Sequence, residues 1–290
     1  MAQNIIIILT EGDHDAAFLY RILKANGFTK FSNVIKHFPP PLNELLSTDV
    51  LNVSIPEVNI QSARTRFLPS NVVTEGENIL LIYAIQGDSR GDIRTKLIDA
   101  FNSFNTKNPQ QIQVSKDTTV SVLYFLDADD KGIDVRLTEI NNELTAAFVG
   151  VEFVKFTANA SLKIVDDILI GAYIFVKKGE QTGKLEDILL PMMEAGNEDI
   201  FKAANSFLSI HESTNLYKDK VELNEDKTIK KVFGNKYHPK KSLIGTIGQL
   251  HKSGKSNTVC ISDANYLNVE KLKASVVCNE IVEFIRKAMK

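Results

Sequence analysis

"IIIILTEGDHDAAF", residues 5–18, sets five consecutive branched aliphatic side chains, Ile5 to Leu9, directly ahead of three acids, Glu11, Asp13 and Asp15. A short β-branched run without alternation is the pattern of a strand buried on both faces, as in the interior of a parallel sheet. The residues that follow, "HDAAFLYRILKAN" (14–26), put Ala17, Phe18, Tyr20, Ile22 and Leu23 at helical spacing, and Gly27 comes next as a stop. One βα unit is therefore legible here. Its acids fall at the strand's carboxyl end, where ligands sit in open parallel sheets.

Outward from this unit the same alternation recurs. A second strand is expected near 31–36; then "HFPPPLNELL" breaks the pattern at Pro39, Pro40 and Pro41, and residues from about 37 to 78 read as an insertion. "NILLIYAIQG" (78–87) is a further buried strand, followed by a helix over "DIRTKLIDAFNSF" (92–104). "TVSVLYFLDADDKG" (119–132) is the clearest strand, with a helix over 134–148 behind it. "AYIFVKKGEQTGKLEDILLPMM" (172–193) repeats strand, glycine-containing loop and helix. This spacing predicts an α/β fold, a Rossmann-like parallel sheet flanked by helices on both faces. The expected organisation is a core over 1–195 that carries the insertion, then a mostly helical C-terminal extension over 196–290 packed on that core. In the last segment, 269–288, Leu272, Val276, Val277, Ile281, Phe284 and Ile285 share one side of an amphipathic helix.

With 290 residues, 43% of them hydrophobic and 24% charged, the chain has the make-up of a folded globular protein. The apolar start lacks a basic leader and runs into acid, so it does not read as a secretory signal. No stretch reaches the roughly 18 uncharged apolar residues of a membrane helix, and no membrane partner is expected. Cys260 and Cys278 have no close-spaced partner thiols, which argues against a disulfide framework or a four-thiolate zinc site and predicts free thiols in a cytoplasmic protein. A net charge of -2 excludes a uniformly basic nucleic-acid binder. The lysines are nonetheless concentrated, ten against four acids between Lys218 and Lys255. A solvated surface is the plain reading of such a run. As a phosphate track it would act through Lys230, Lys231, Lys240 and Lys241, with nucleic acid, DNA foremost, as the partner.

Three strand ends carry acid: Glu11 after the first, Asp127 and Asp129 after "VLYFL", and Glu186 at the start of the helix after "AYIFV". On an extended chain a period of two points Asp127 and Asp129 to one side. Asp15 lies one helical turn beyond Glu11 and shares its face, with Gly12 allowing a sharp turn between them. Carboxylates gathered this closely repel one another unless a cation intervenes, and hard oxygen ligands suit Mg²⁺ or Mn²⁺. Asp13, Asp134 and Asp187 read instead as helix caps. Lys184 is a candidate for contact with a phosphate oxygen. Among the histidines no pair has zinc-protease spacing, and His14 reads as an exposed helix-start residue. "GQLHKSGKS" (248–256) is not a phosphate-binding loop, because its glycines enclose five residues where four are needed and no strand precedes it.

"EGDHD" after an apolar strand and "LDADD" after a later one resemble the two signature motifs of the TOPRIM domain, the catalytic module of topoisomerases, bacterial primases and overcoming-lysogenization-defect nucleases. "GKLEDILLP" (183–191) is similar to the Gly-x-Leu-Glu segment of uncharacterised prokaryotic TOPRIM-like proteins. The resemblance spans roughly residues 4–191 in scattered motifs. It implies metal-dependent phosphodiester chemistry on nucleic acid, with Glu11 as general acid or base or as a second-metal ligand, and Lys184 near the phosphate. Asp127 and Asp129 would form the metal pair, with Asp15 and Glu186 as further metal-binding acids. Rival readings are a nucleotide-sugar glycosyltransferase, whose Asp-x-Asp also ends a strand, a phosphatase with an aspartate nucleophile, and a metal or nucleotide sensor without turnover.

Overall fold

The computed structural model describes residues 3–40, 42–51, 68–87, 90–102, 118–210, 220–224, 226–233 and 238–289. The chain divides into two compact units, one formed by Met1–Ile188 with Val269–Lys290 and the other by Leu189–Asn268.

The first unit is built on a seven-stranded sheet. In chain order its strands are β1 (Gln3–Thr10), β2 (Thr29–Lys30), β3 (Asn71–Glu75), β4 (Asn78–Ala84), β5 (Thr118–Asp127), β6 (Ser161–Val165) and β7 (Ile168–Phe175). Across the sheet they run β2-β3-β4-β1-β5-β7-β6. The central β4, β1, β5 and β7 are parallel, while β3, β2 and β6 pair antiparallel at the margins. β1 has neighbours on both sides and layers on both faces, and Ile5 to Leu9 are wholly buried, as the unalternating run predicts.

Helices α1 (Asp13–Ala25), α2 (Leu42–Leu51), α3 (Gly91–Asn102) and α4 (Ile133–Ala147) follow in order. On one face of the sheet, Ile5, Ile7, Tyr83, Tyr124 and Ile170 join a core cluster with Ile98 and Phe101 of α3 and Leu137, Ile140 and Leu144 of α4. The buried Arg94 of α3 donates from Nε to Glu143 Oε2 of α4 at 2.9 Å, which ties the two helices together. α1 lies against β1, β3 and β4. The α/β class and the flanking helices are as the sequence predicts.

The margins differ from expectation. In place of a strand near 31–36 there are only the two residues of β2 and a 3₁₀ turn at Ile35–His37. The expected insertion contributes α2 and also β3, which pairs with β4, so part of it belongs to the sheet; residues 52–67 lie outside the described residues. β6 turns into β7 through Asp166 and Asp167 at φ 47 and 68, the left-handed conformations of a tight hairpin.

After β7, α5 (Leu185–Glu194) leads on to α6 (Glu198–Ile210), a hairpin of β8 (Lys220–Leu223) and β9 (Ile229–Phe233), α7 (Pro239–His251) and α8 (Asn257–Asp263). The second unit thus holds a hairpin where the sequence predicts mostly helix. Its core gathers Phe201, Ile244, Ile247, Ile261 and Tyr266, and the Tyr266 hydroxyl donates to the Ile247 carbonyl at 3.0 Å.

Past Asn268 the chain rejoins the first unit, so 196–290 is not one extension as expected. The predicted helix over 269–288 is two, α9 (Val269–Ala274) and α10 (Val276–Lys287). They part at Ser275, whose Oγ accepts the Cys278 amide at 3.3 Å and caps α10. Val276 is 70% exposed rather than part of the apolar face, whereas Ile281, Phe284 and Ile285 are buried. Phe284 meets the rings of Phe125 and Tyr173 at 5.8 and 5.7 Å, so α10 covers the sheet face opposite α3 and α4. Gly171 on β7 makes this approach possible, since a Cβ there would stand 2.7 Å from Phe284 Cζ and 2.6 Å from Leu123 Cδ2. Both cysteines are free and buried, and burial pushes the Cys278 thiol up to about 11. Among the described residues no helix is long and apolar enough to cross a membrane.

Replacing Phe284 by Ala is expected to cost about 3–5 kcal/mol, the usual penalty for emptying a packed aromatic site. The denaturant midpoint of the full chain measures it; a loss below about 1 kcal/mol would show that the ring is peripheral to the first unit's core.

Candidate active site

From β1 the chain passes through α1 toward β4, and from β5 through α4 toward β7 on the other side. β1 and β5 are neighbours, so the crevice at their carboxyl ends is the topological switch point, the place where open α/β sheets receive ligands. Glu11 follows β1 directly, and Asp127 is the last residue of β5. Glu11 Oε1 accepts the Asp127 amide at 3.0 Å, which locks one strand end to the other. Asp127 Oδ1 in turn accepts the Leu185 amide at 2.7 Å, bringing the first turn of α5 and its Glu186 to the same place. Glu186 is 2% exposed and lies 3.4 Å from His14 Nδ1. Asp15 is 6% exposed.

Burial, then the neighbouring Asp15, Glu11 and Glu186, hold the Asp127 carboxyl well above the usual carboxylate range, against a lowering contribution from the Leu185 amide. Three of the other sequence-predicted acids therefore act on the charge of Asp127. Asp129 stands differently. β5 ends at Asp127 and Asp129 has φ 49, so the two-residue period does not extend to it. Its backbone pairs both ways with Gly183, at 2.8 and 3.0 Å, and its carboxylate lies between Lys184 Nζ, at 2.8 Å from Oδ1, and Arg136 Nη2 against Oδ2. The Gly183 position accepts only glycine: φ is 131, and a Cβ would lie 2.3 Å from the Lys177 backbone nitrogen.

Three local expectations change. Asp187 caps α5, accepting the Lys184 amide at 3.0 Å, as predicted. Asp13 does not cap α1: its Oδ2 accepts Gln86 Nε2 at 2.9 Å, and the capping contact comes from Asp15, whose Oδ2 accepts the Gly12 amide at 2.8 Å. Gly12 makes no sharp turn, having φ -154 and ψ 179, extended backbone open to any residue. His14 is only 21% exposed at its side chain and belongs to the site through Glu186, not to open surface.

Sequence reasoning misses Arg136. This side chain of α4 is 1% exposed, donates from Nε to the Asp127 carbonyl at 2.7 Å and from Nη1 to Glu139 at 2.9 Å, and has Nη2 at 3.4 Å from Glu11 Oε1. Burial opposes its charge, but the hydrogen bond to Glu139 and the charges of Glu11, Glu139 and Asp129 raise its pKa further. A signal exists: Arg136 stands three residues after Ile133 and four before Ile140, on the buried stripe of a helix, where an arginine needs acid partners.

Among the described residues no three His, Cys, Asp or Glu side chains are set as a ready-made metal cage. The donor set is all oxygen and its central carboxyl is held by neighbours of like charge, which fits a hard cation that keeps several waters and takes one or two carboxylates. Of the predicted phosphate-track residues, Lys230 and Lys231 lie on β9, and Lys240 and Lys241 in the first turn of α7, all in the second unit.

Fold and site together define a Rossmann-like α/β protein with an acidic centre at the switch point. Over 99% of its length the chain is similar in fold to the crystal structure of a hypothetical protein from Pyrococcus horikoshii OT3, of which it covers 95%, at a TM-score of 0.52 and 12% identity. No family model matches the chain, and no curated protein does.

A carboxyl whose folded pKa is raised keeps its proton longer in the folded state, so its penalty is absent at low pH and grows as pH climbs from the unfolded value, about 3.9, toward the folded one. Asp127→Asn removes that penalty while keeping an acceptor for the Leu185 amide. In EDTA, the variant is expected to gain in melting temperature over wild type as pH rises from about 4 to 8. A difference that does not vary with pH would contradict the crowding of charge around Asp127.

Proposed function

We propose that this protein is a TOPRIM-like, metal-dependent enzyme of phosphodiester chemistry on nucleic acid, DNA foremost, acting in the cytoplasm. The observation that carries the reading is the meeting of Glu11, Asp15, Asp127 and Glu186 where the ends of β1, β5 and the start of α5 converge. Asp127, with Asp15 or Glu186 as a second carboxylate and waters for the remaining positions, would hold Mg²⁺ or Mn²⁺. When bound, such an ion neutralises phosphate oxygens and lowers the pKa of a coordinated water.

The chain's own residues have distinct work. Glu11, oriented by the Asp127 amide and close to Arg136, accepts or returns the proton of the attacking or leaving oxygen. Lys184, with about a third of its side chain exposed, presents its ammonium beside the phosphate, and Asp129 aims it. Arg136 fixes Glu11, Asp129 and the end of β5 in one frame. The nucleotide-sugar reading is weaker because it gives no work to Glu11 and Asp15, which stand at the same strand end as Asp127. A role in phage defence or DNA repair rests on family analogy.

Purified protein with Mg²⁺ or Mn²⁺ is expected to cut plasmid or single-stranded DNA, to stop in EDTA, and to lose about 10²-fold or more in turnover in Glu11→Gln, with nucleic-acid binding kept. Release of sugar from UDP-sugars without DNA cleavage would move the assignment to sugar transfer. Metal and nucleotide binding with no turnover would leave a sensor.

The lysines of the second unit bear on the partner. Replacing Lys230, Lys231, Lys240 and Lys241 by Ala is expected to weaken DNA binding and to flatten its log-log salt dependence by about 0.9 for each phosphate that a lysine no longer neutralises. An unchanged slope returns these lysines to a solvated surface.

A further inference from the structure

One guanidinium organises half of the acidic centre. Arg136 enters from α4 and meets Glu139, Asp129, Glu11 and the Asp127 carbonyl. Lys184 takes the other oxygen of Asp129 at 2.8 Å, so each oxygen of that carboxylate has a cationic partner. Across the centre the balance is opposite. Glu11 Oε1 accepts the Asp127 amide at 3.0 Å, Asp127 Oδ1 accepts the Leu185 amide at 2.7 Å next to Glu186, and Asp15 and Glu186 are 6% and 2% exposed.

Phosphodiester enzymes often clamp the attacking and leaving oxygens between two metal ions about 4 Å apart. For a second ion to use Asp129, that carboxylate would have to leave both Lys184 and Arg136, and Arg136 would lose an acid partner while 1% exposed. Taking one acid partner from a buried cation is costly even where Glu139 and Glu11 remain, and the incoming ion would add a like charge beside it. A guanidinium, by contrast, is permanently charged and its planar fork matches carboxylate and phosphate oxygens.

We infer that Arg136 stands in place of a second metal ion: the centre takes one divalent cation, on its Asp127 side, and Arg136 with Lys184 supplies the fixed positive charge on its Asp129 side. This rests on the metal-dependent function proposed for the centre. Asp129 is thereby a positioning residue for two cationic side chains and not a metal ligand. The sequence motif alone, with its two aspartates, points the other way.

The test counts Mn²⁺ bound by the full chain, by calorimetry and by loss of the free-ion resonance in electron paramagnetic spectra. Wild type is expected to bind one Mn²⁺ per chain. Arg136→Lys keeps the charge and should stay at one; Arg136→Met removes it and should admit a second, weaker ion among Glu11, Asp129 and Glu139, with an Mn²⁺-dependent rise in melting temperature larger than that of wild type. Two ions in wild type would overturn the inference and leave the metal-dependent function standing. So would a count of one in a folded Arg136→Met. No Mn²⁺ on wild type would overturn both. The wild-type and Arg136→Lys counts decide the matter even where Arg136→Met does not fold.

Discussion

Everything in the first unit answers to one constraint, that β1 has no solvent face. Ile5 to Leu9 must be covered above, below and on both edges, so the sheet has to grow outward from β1 in two directions. Growth in two directions forces the connections after β1 and β5 apart, and the gap so formed at their carboxyl ends is the crevice. The site is thus a by-product of burying five aliphatic side chains. Glu11 and Asp127 are next to each other because their strands are, and the hydrogen bond between them is the first contact available once the strands pair.

Within that crevice the chemistry is a matter of sign. Carboxylates come from three separate elements, and the fold accepts their mutual repulsion at the cost of a proton held on Asp127 beyond its ordinary range. It offsets repulsion on the other side by driving Arg136 into the unit from α4. The buried ion cluster does not by itself make the protein more stable, since desolvation consumes much of the attraction. Its effect is geometric: it fixes which carboxylates are shared among cationic side chains and which crowd one another.

How much of this is legible in the sequence depends on the range of the signal. β1, β5 and α4 are dictated by continuous apolar runs and helical spacing; β1 and α4 fall within a residue or two of expectation, and β5 starts one residue early but ends at Asp127, short of the expected 132. Glu11, Asp15, Asp127 and Glu186 can be gathered from sequence because strand ends in a parallel sheet lie on one edge. Inferences from local geometry fail. Asp129 reads as a strand residue, yet the Gly183 bridge pulls it into a left-handed turn, and nothing within its own neighbourhood announces a partner more than fifty residues away. Gly12 invites a turn that the backbone does not make. β3 and β6 are hidden because antiparallel strands at the margins of the sheet are short and half-polar, and the two aspartates of the hairpin at 166 and 167 are a faint signal beside the apolar runs. The pairing of α10 with β5 and β7 is a long-range packing fact with no local trace beyond an apolar stripe.

That last pairing has a consequence in time. The strands and acids of the centre are all encoded before Ile188, but the rings of Phe125 and Tyr173 wait for Phe284, and the whole of the second unit is translated in between. At roughly 5–20 residues per second, the interval is on the order of several seconds to a quarter of a minute. In the order of synthesis, the cover for this aromatic face therefore comes after the last acid of the centre, and after every residue of the second unit.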